Sequence, residues 1–201
     1  MEVVLASASP RRLALLEQVG IAARVVPADF AEEAGSAAEA RLVALHNAQG
    51  KCRAVAAAVG DAVPVVAADT IVVIDEDILG KPADACEAKA MLARLSGRSH
   101  QVMTGVAVRY QGRELSEVCV TEVKFRPLAA EEIDAYVATG EPLDKAGAYG
   151  IQGRGALLVE QMRGCYNNVV GLPLSRLHMM LQEIGVGRSG EARQKLAGKG
   201  K

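Results

Sequence analysis

The stretch Ala68-Asp69-Thr70-Ile71-Val72-Val73-Ile74-Asp75-Glu76-Asp77-Ile78-Leu79-Gly80-Lys81-Pro82 decides the fold. The apolar run from Val63 to Ala68 that leads into it has the length and branching of a strand covered on both faces. Three acidic residues then break the apolar pattern, and Ile78-Leu79 brings it back, which reads as a β-hairpin. Strands covered on both faces belong to α/β sheets, where ligands sit at the carboxyl ends of strands. Asp69, expected at such an end, is therefore the residue that needs a chemical reason. With the turn centred on Glu76, Ile71 faces Lys81, and Asp69 lies diagonal to Lys81 on the same face at roughly 7–8 Å. A carboxylate and an ammonium would then share one cleft. The plain alternative is that Asp69-Thr70 ends a strand and Lys81 is a solvated edge charge.

The chain has 201 residues, half of them hydrophobic, enough for one globular domain or two small lobes around a cleft. No apolar run reaches the roughly eighteen residues of a membrane span, and the N-terminus lacks a basic segment followed by a signal-type apolar block. A soluble, cytoplasmic protein without membrane partners is expected. Cys52, Cys86, Cys119 and Cys165 show no C-x-x-C spacing and the histidines are scattered, which argues against zinc and against a disulfide framework. Net charge is −1; the segment from Gly187 onward carries five bases and one acid, so the body before it carries −5. The basic tail, residues 186–201, has no aromatic to stack on bases, so disorder rather than nucleic-acid binding is expected of it. Residues 1–185 are expected to form one domain.

Upstream, Val3 to Ala6 reads as a strand, Ser7-Ala8-Ser9 as a loop, and Pro10 to Gly20 as a helix with Ser9 at the N-cap. Arg11 and Arg12 occupy its first turn, where each cation opposes the helix dipole by roughly 0.3–1 kcal/mol. That placement, after two small hydroxyl residues, points to an anion such as a triphosphate at the helix N-terminus. Arg24 to Pro27 reads as a short strand and Asp29 to Glu33 as an acidic loop. Ala37 to Val59 is a long helical pattern, interrupted at Gly50, with Leu42, Leu45, Cys52, Val55, Ala56 and Val59 along one stripe and Lys51 beside it.

Downstream, Asp84 to Glu87 has capping-box spacing for a helix ending at Ser96-Gly97. His100 to Tyr110 and Glu114 to Phe125 read as an antiparallel pair, with His100 a packing residue rather than a base. Ala129 to Thr139 reads as a helix, and Ala156 to Met162 as a strand before a last helix ending at Ile184. Between them, Glu141 to Gly155 is too glycine-rich for a regular element and carries Asp144, Lys145 and Gln152, as a ligand-wrapping loop would.

These segments together resemble the Maf family of nucleoside triphosphate pyrophosphatases. The likeness rests on Leu5-Ala6-Ser7-Ala8-Ser9-Pro10-Arg11-Arg12, Ala68-Asp69-Thr70 with Lys81-Pro82, Leu95-Ser96-Gly97 with His100, Gly140-Glu141-Pro142, and Gly171-Leu172-Pro173. The segment Asp144 to Gly153 is similar to the subgroup acting on dTTP and UTP. The resemblance implies an α/β fold like that of the inosine triphosphatases, a mixed twisted sheet flanked by helices with two lobes around a central cleft. It implies hydrolysis of dTTP and UTP to the monophosphate and pyrophosphate, house-cleaning of non-standard or modified nucleotides, and a link to arrest of cell division. Asp69, Glu32, Lys51 and Lys81 would be catalytic, with Ser7, Ser9, Arg11, Thr70, Asp144, Lys145 and Gln152 binding substrate. Glu32 and Asp69 would hold Mg²⁺ or Mn²⁺, and a homodimer is left open. The rival readings are a nucleotidyltransferase using the same cleft and a non-catalytic regulator of septum formation.

Overall fold

The computed structural model describes residues 1–186, so the expected tail lies outside the described residues apart from Val186. Seven strands form one mixed sheet in the order β2-β1-β3-β5-β6-β7, with β4 hydrogen-bonded to β3 off that path. The strands are β1 (Glu2–Leu5), β2 (Ala22–Val25), β3 (Val65–Ile74), β4 (Asp77–Leu79), β5 (Ser99–Tyr110), β6 (Arg113–Phe125) and β7 (Val159–Arg163). The helices are α1 (Pro10–Gln18), α2 (Ala40–Val59), α3 (Ala85–Leu95), α4 (Ala130–Val137), α5 (Tyr166–Val170) and α6 (Leu174–Ile184). No helix among the described residues is long and apolar enough to cross a membrane.

β3 organises the molecule. It is parallel to β1 only through Val4↔Val65 and Leu5↔Val66, whereas β5 accompanies it from Val65↔Arg109 to Val73↔Gln101, with β4 joining its other edge from Val72 onward. Asp69 therefore sits in mid-strand, opposite Gly105, rather than at a strand end. It is nevertheless beyond the carboxyl end of β1, which is where the sheet opens into a cleft. Every residue of β3 is buried except the half-buried Thr70. Even-numbered side chains face one layer and odd-numbered ones the other. The even set divides at Thr70. Val66 and Ala68 join a core with Leu5, Leu16, Leu177 and Leu181, whereas Val72 and Ile74 join one with Leu92, Leu95, Phe125 and Tyr136. These two cores are the two lobes, and α2 covers the odd face.

The hairpin forms with a different register from the expected one. Ile74 pairs with Asp77 and Val72 with Leu79, so the turn is the two residues Asp75-Glu76, with Asp75 at a φ of 54° suited to the mirror-image turns of hairpins. The one-residue slip turns Lys81 away from the diagonal partnership with Asp69. α2 is continuous through Gly50, and the missing side chain there makes room for the Phe30 ring, whose nearest atom a Cβ would meet at 2.2 Å. Its buried residues are Ala40, Val43, Ala44, Asn47, Ala48, Cys52, Val55 and Ala56, while Leu42 is 56% exposed. The glycine-rich loop is a series of 3-10 turns from Glu141 to Leu158, and β7 starts only at Val159.

Candidate active site

The loop Ser7-Ala8-Ser9 carries the chain from β1 to α1. Ser9 holds the N-cap backbone conformation (φ −70°, ψ 115°) but its hydroxyl makes no capping bond, and Pro10 begins the helix. Ser7 Oγ accepts from Ser9 N at 3.2 Å and from Arg12 Nη1 at 3.0 Å. Arg12 also donates to Thr70 Oγ1 (3.1 Å) and to Gly171 O (2.8 Å), and Thr70 Oγ1 lies 2.9 Å from Thr104 Oγ1. Desolvation lowers the Arg12 pKa, and the Asp69 charge acts against that shift. The two neighbouring arginines thus part company. Arg12 turns inward and braces the loop against β3 and α5, while Arg11 reaches the cleft and pairs with Asp144 Oδ2 at 3.1 Å.

On the odd face, α2 approaches β5 so closely that a Cβ on Gly105 would meet Ala44 O at 2.1 Å. That contact places Asn47 and Lys51, one helical turn apart, over Asp69. Lys51 Nζ is 2.6 Å from Asp69 Oδ1 and 2.6 Å from Glu32 Oε1. Asn47 Nδ2 donates to Asp69 Oδ2 (3.2 Å) and to Glu33 O (3.2 Å), and its Oδ1 accepts from Glu33 N at 2.8 Å. Asn47 therefore pins the acidic loop so that Glu32 can share the lysine with Asp69. Sequence reading missed Asn47, and it placed Arg12 with Arg11 at the anion rather than as a brace of the loop. The signal for Asn47 was its spacing from Lys51; nothing in the sequence told the inward arginine from the outward one.

The third side of the cleft is the loop after α4. Lys145 Nζ donates to Asp144 Oδ1 (2.6 Å) and Glu141 O (2.5 Å). Desolvation pushes the Asp144 carboxyl up, but hydrogen bonds from Lys145 and Arg11 outweigh it and hold the group below its ordinary value. One carboxylate thus keeps two cations side by side. Gln152 is exposed at the rim, and Lys81 reaches in from the segment after β4.

Every residue given a catalytic, substrate-binding or metal-holding role from the sequence lines one cleft of about 820 Å³, within the range usual for small-molecule sites. Among the described residues no three His, Cys, Asp or Glu side chains gather as a metal cage. Two hard carboxylates in a cleft also lined by Arg11, Lys81 and Lys145 fit a Mg²⁺-type cation that takes the rest of its shell from a bound anion and water. They do not fit a cation held by protein alone.

The chain matches the family model described as Maf-like protein over residues 2–184. It is 52% identical over 184 residues to a Symbiobacterium thermophilum protein named dTTP/UTP pyrophosphatase, with 92% of this chain and 94% of that one covered. A Thermococcus onnurineus protein of the same name is 52% identical, with 92% and 98% covered. Among solved structures, a Mycobacterium abscessus nucleoside-triphosphatase, also described as a dITP/XTP pyrophosphatase, aligns at a TM-score of 0.44 and 18% identity, covering 70% of this chain and 95% of that one.

Proposed function

The chain belongs to the Maf-like protein family, and from that premise we propose that it hydrolyses dTTP and UTP to the nucleoside monophosphate and pyrophosphate. One observation carries the reading. The Glu32–Lys51–Asp69 cluster and the Arg11–Asp144–Lys145 cluster line a single cleft large enough for a nucleotide. Such chemistry consists mostly of positioning and charge neutralisation.

In the proposed reaction a water oxygen attacks the α-phosphorus, the bond to the oxygen bridging towards the β-phosphorus breaks, and pyrophosphate departs. Asp69 accepts the proton of the attacking water. Lys51 and Asn47, which bond its two oxygens, hold the carboxylate in place. Arg11, Lys145 and Lys81 receive the triphosphate together with Ser7, Ser9 and the N-terminus of α1. Arg11 exchanges Asp144 for phosphate as substrate enters. Thr70, braced by Arg12, lies beneath the same anion. A bound divalent cation, Mg²⁺ or Mn²⁺, would supply neutralising charge on the triphosphate, and Glu32 and Asp69 are the residues that would hold it. Gln152 offers a donor and an acceptor to the carbonyl and N–H edge of uracil or thymine.

The test is a panel of nucleoside triphosphates with Mg²⁺ or Mn²⁺ in ¹⁸O-labelled water, assayed for both products. Pyrophosphate and labelled monophosphate from dTTP and UTP are expected, with no second substrate. Orthophosphate in place of pyrophosphate, or turnover that needs an acceptor molecule, would overturn the assignment, the latter in favour of nucleotidyl transfer.

A further inference from the structure

The motif Gly140-Glu141-Pro142 has no part in the mechanism above, and Glu141 does not line the cleft. Its carboxylate nevertheless takes three hydrogen bonds from the loop and its support. Oε1 accepts from Tyr136 Oη at 2.9 Å and from Gly155 N at 3.2 Å, and Oε2 accepts from Arg154 N at 3.2 Å. Tyr136 Oη in turn accepts from Gly150 N at 3.2 Å. Desolvation raises the pKa of that phenol, so it remains a donor to the carboxylate. The segment from Gly150 to Gly155 is thereby tied to one side chain at both ends, directly at 154–155 and through Tyr136 at 150.

The glycines of this segment fit that tie. A Cβ on Gly155 would meet Gly150 O at 2.0 Å, and one on Gly153, at a φ of +60°, would meet Glu141 Oε2 at 2.8 Å. Glycine is required because the carboxylate and the returning chain lie against the backbone, so this loop is cinched rather than slack. Two side chains are displayed by the cinched arc. Ile151 is buried in the core beside α6, and Gln152 lines the cleft. The Glu141 carbonyl also receives Lys145 Nζ, but through backbone that a side-chain change leaves in place.

Resting on the pyrophosphatase reading, we propose that Glu141 is a positioning residue for base recognition. Its carboxylate, with Tyr136, fixes the arc that presents Gln152 and the neighbouring backbone to the nucleobase. It acts on the base end of the cleft and not on the phosphate end.

The experiment compares full-length wild type with Glu141→Ala, Glu141→Gln and Tyr136→Phe. Glu141→Ala should raise KM for dTTP and UTP about tenfold or more while kcat changes less than about threefold, and should narrow the preference for UTP over CTP. Glu141→Gln, which keeps one acceptor oxygen, and Tyr136→Phe, which releases only the Gly150 arm, should fall between. Inhibition by inorganic tripolyphosphate, which has no base, should be unchanged. Amide exchange at Arg154 and Gly155 should quicken in both Glu141 variants. Equal losses for every nucleotide and for tripolyphosphate would mean that Glu141 serves the fold or the phosphates, and wild-type kinetics in all three variants would also overturn the proposal. A wild-type protein inert towards dTTP and UTP would defeat the pyrophosphatase reading itself. Unaltered exchange at the two amides would defeat the clasp on its own.

Discussion

Lys51 stands within 2.6 Å of two carboxylates, and Asp69 has both oxygens engaged. Asp69→Asn keeps the shape and leaves Lys51 its bond to Glu32, so the protein should fold. An amide accepts no proton at neutral pH, so kcat for dTTP should fall by about 10²–10⁴-fold. Undiminished kcat would remove Asp69 from the reaction. His100 behaves differently. It is 3% exposed, its Nε2 lies 2.7 Å from Tyr149 Oη, and its Nδ1 is buried without a partner among the described residues. Burial pushes its pKa down from 6.5 to about 4. Between those values the unfolded chain binds a proton that the folded one refuses, so stability falls as pH drops through that window, by roughly 3 kcal/mol in all. Urea unfolding from pH 7 to pH 4 should show this decline, and His100→Gln should flatten it; identical slopes would assign the decline to other groups. The sequence allowed His100 to be read as a packing residue because it opens an alternating strand. It could not give the Tyr149 contact, which joins residues far apart in the chain.

At the scale of elements, α2 depends on Gly105. Gly105→Ala would set a methyl against the Ala44 carbonyl, so the helix must lift and carry Asn47 and Lys51 off Asp69. The variant should lose about 1–3 kcal/mol of stability and lose kcat as well. A protein with the wild-type melting temperature and turnover would show that α2 has slack there. The same seam explains what the sequence concealed. A stripe read from Leu42 and Leu45 favours large side chains, but close approach of a helix to a sheet selects small ones, so alanines line the contact and Leu42 faces outward. The hairpin hid its register for a different reason. Three consecutive acids suit either a two- or a three-residue turn, and the difference of one residue decides which face Lys81 joins. Strand and helix periodicity made most elements legible. The close contacts between them were not, because they depend on backbone approach rather than on any one segment.

Across the whole molecule, the Arg11–Asp144 pair joins α1 in one lobe to the loop that follows α4 in the other. Side chains 28% and 62% exposed make such a bridge worth no more than about 1 kcal/mol. Arg11→Ala should therefore move the melting temperature by only a few degrees, about 4 °C at most, while kcat/KM for dTTP drops by orders of magnitude through lost charge stabilisation. Near-normal kinetics would exclude Arg11 from the anion site. A large fall in melting temperature would instead make it a structural strut. β3 has a further consequence. Asp69 belongs to the central, almost wholly buried strand, bonded along its length to β5 and covered by α2. Regions of that kind open last, near the free energy of global unfolding, whereas an arc outside the sheet, held by a few hydrogen bonds to one carboxylate and Tyr136, opens with less. Heat should thus blunt any substrate choice set by the arc from Gly150 to Gly155 before it destroys the hydrolytic centre. The warmed enzyme would grow less selective while it still turned over.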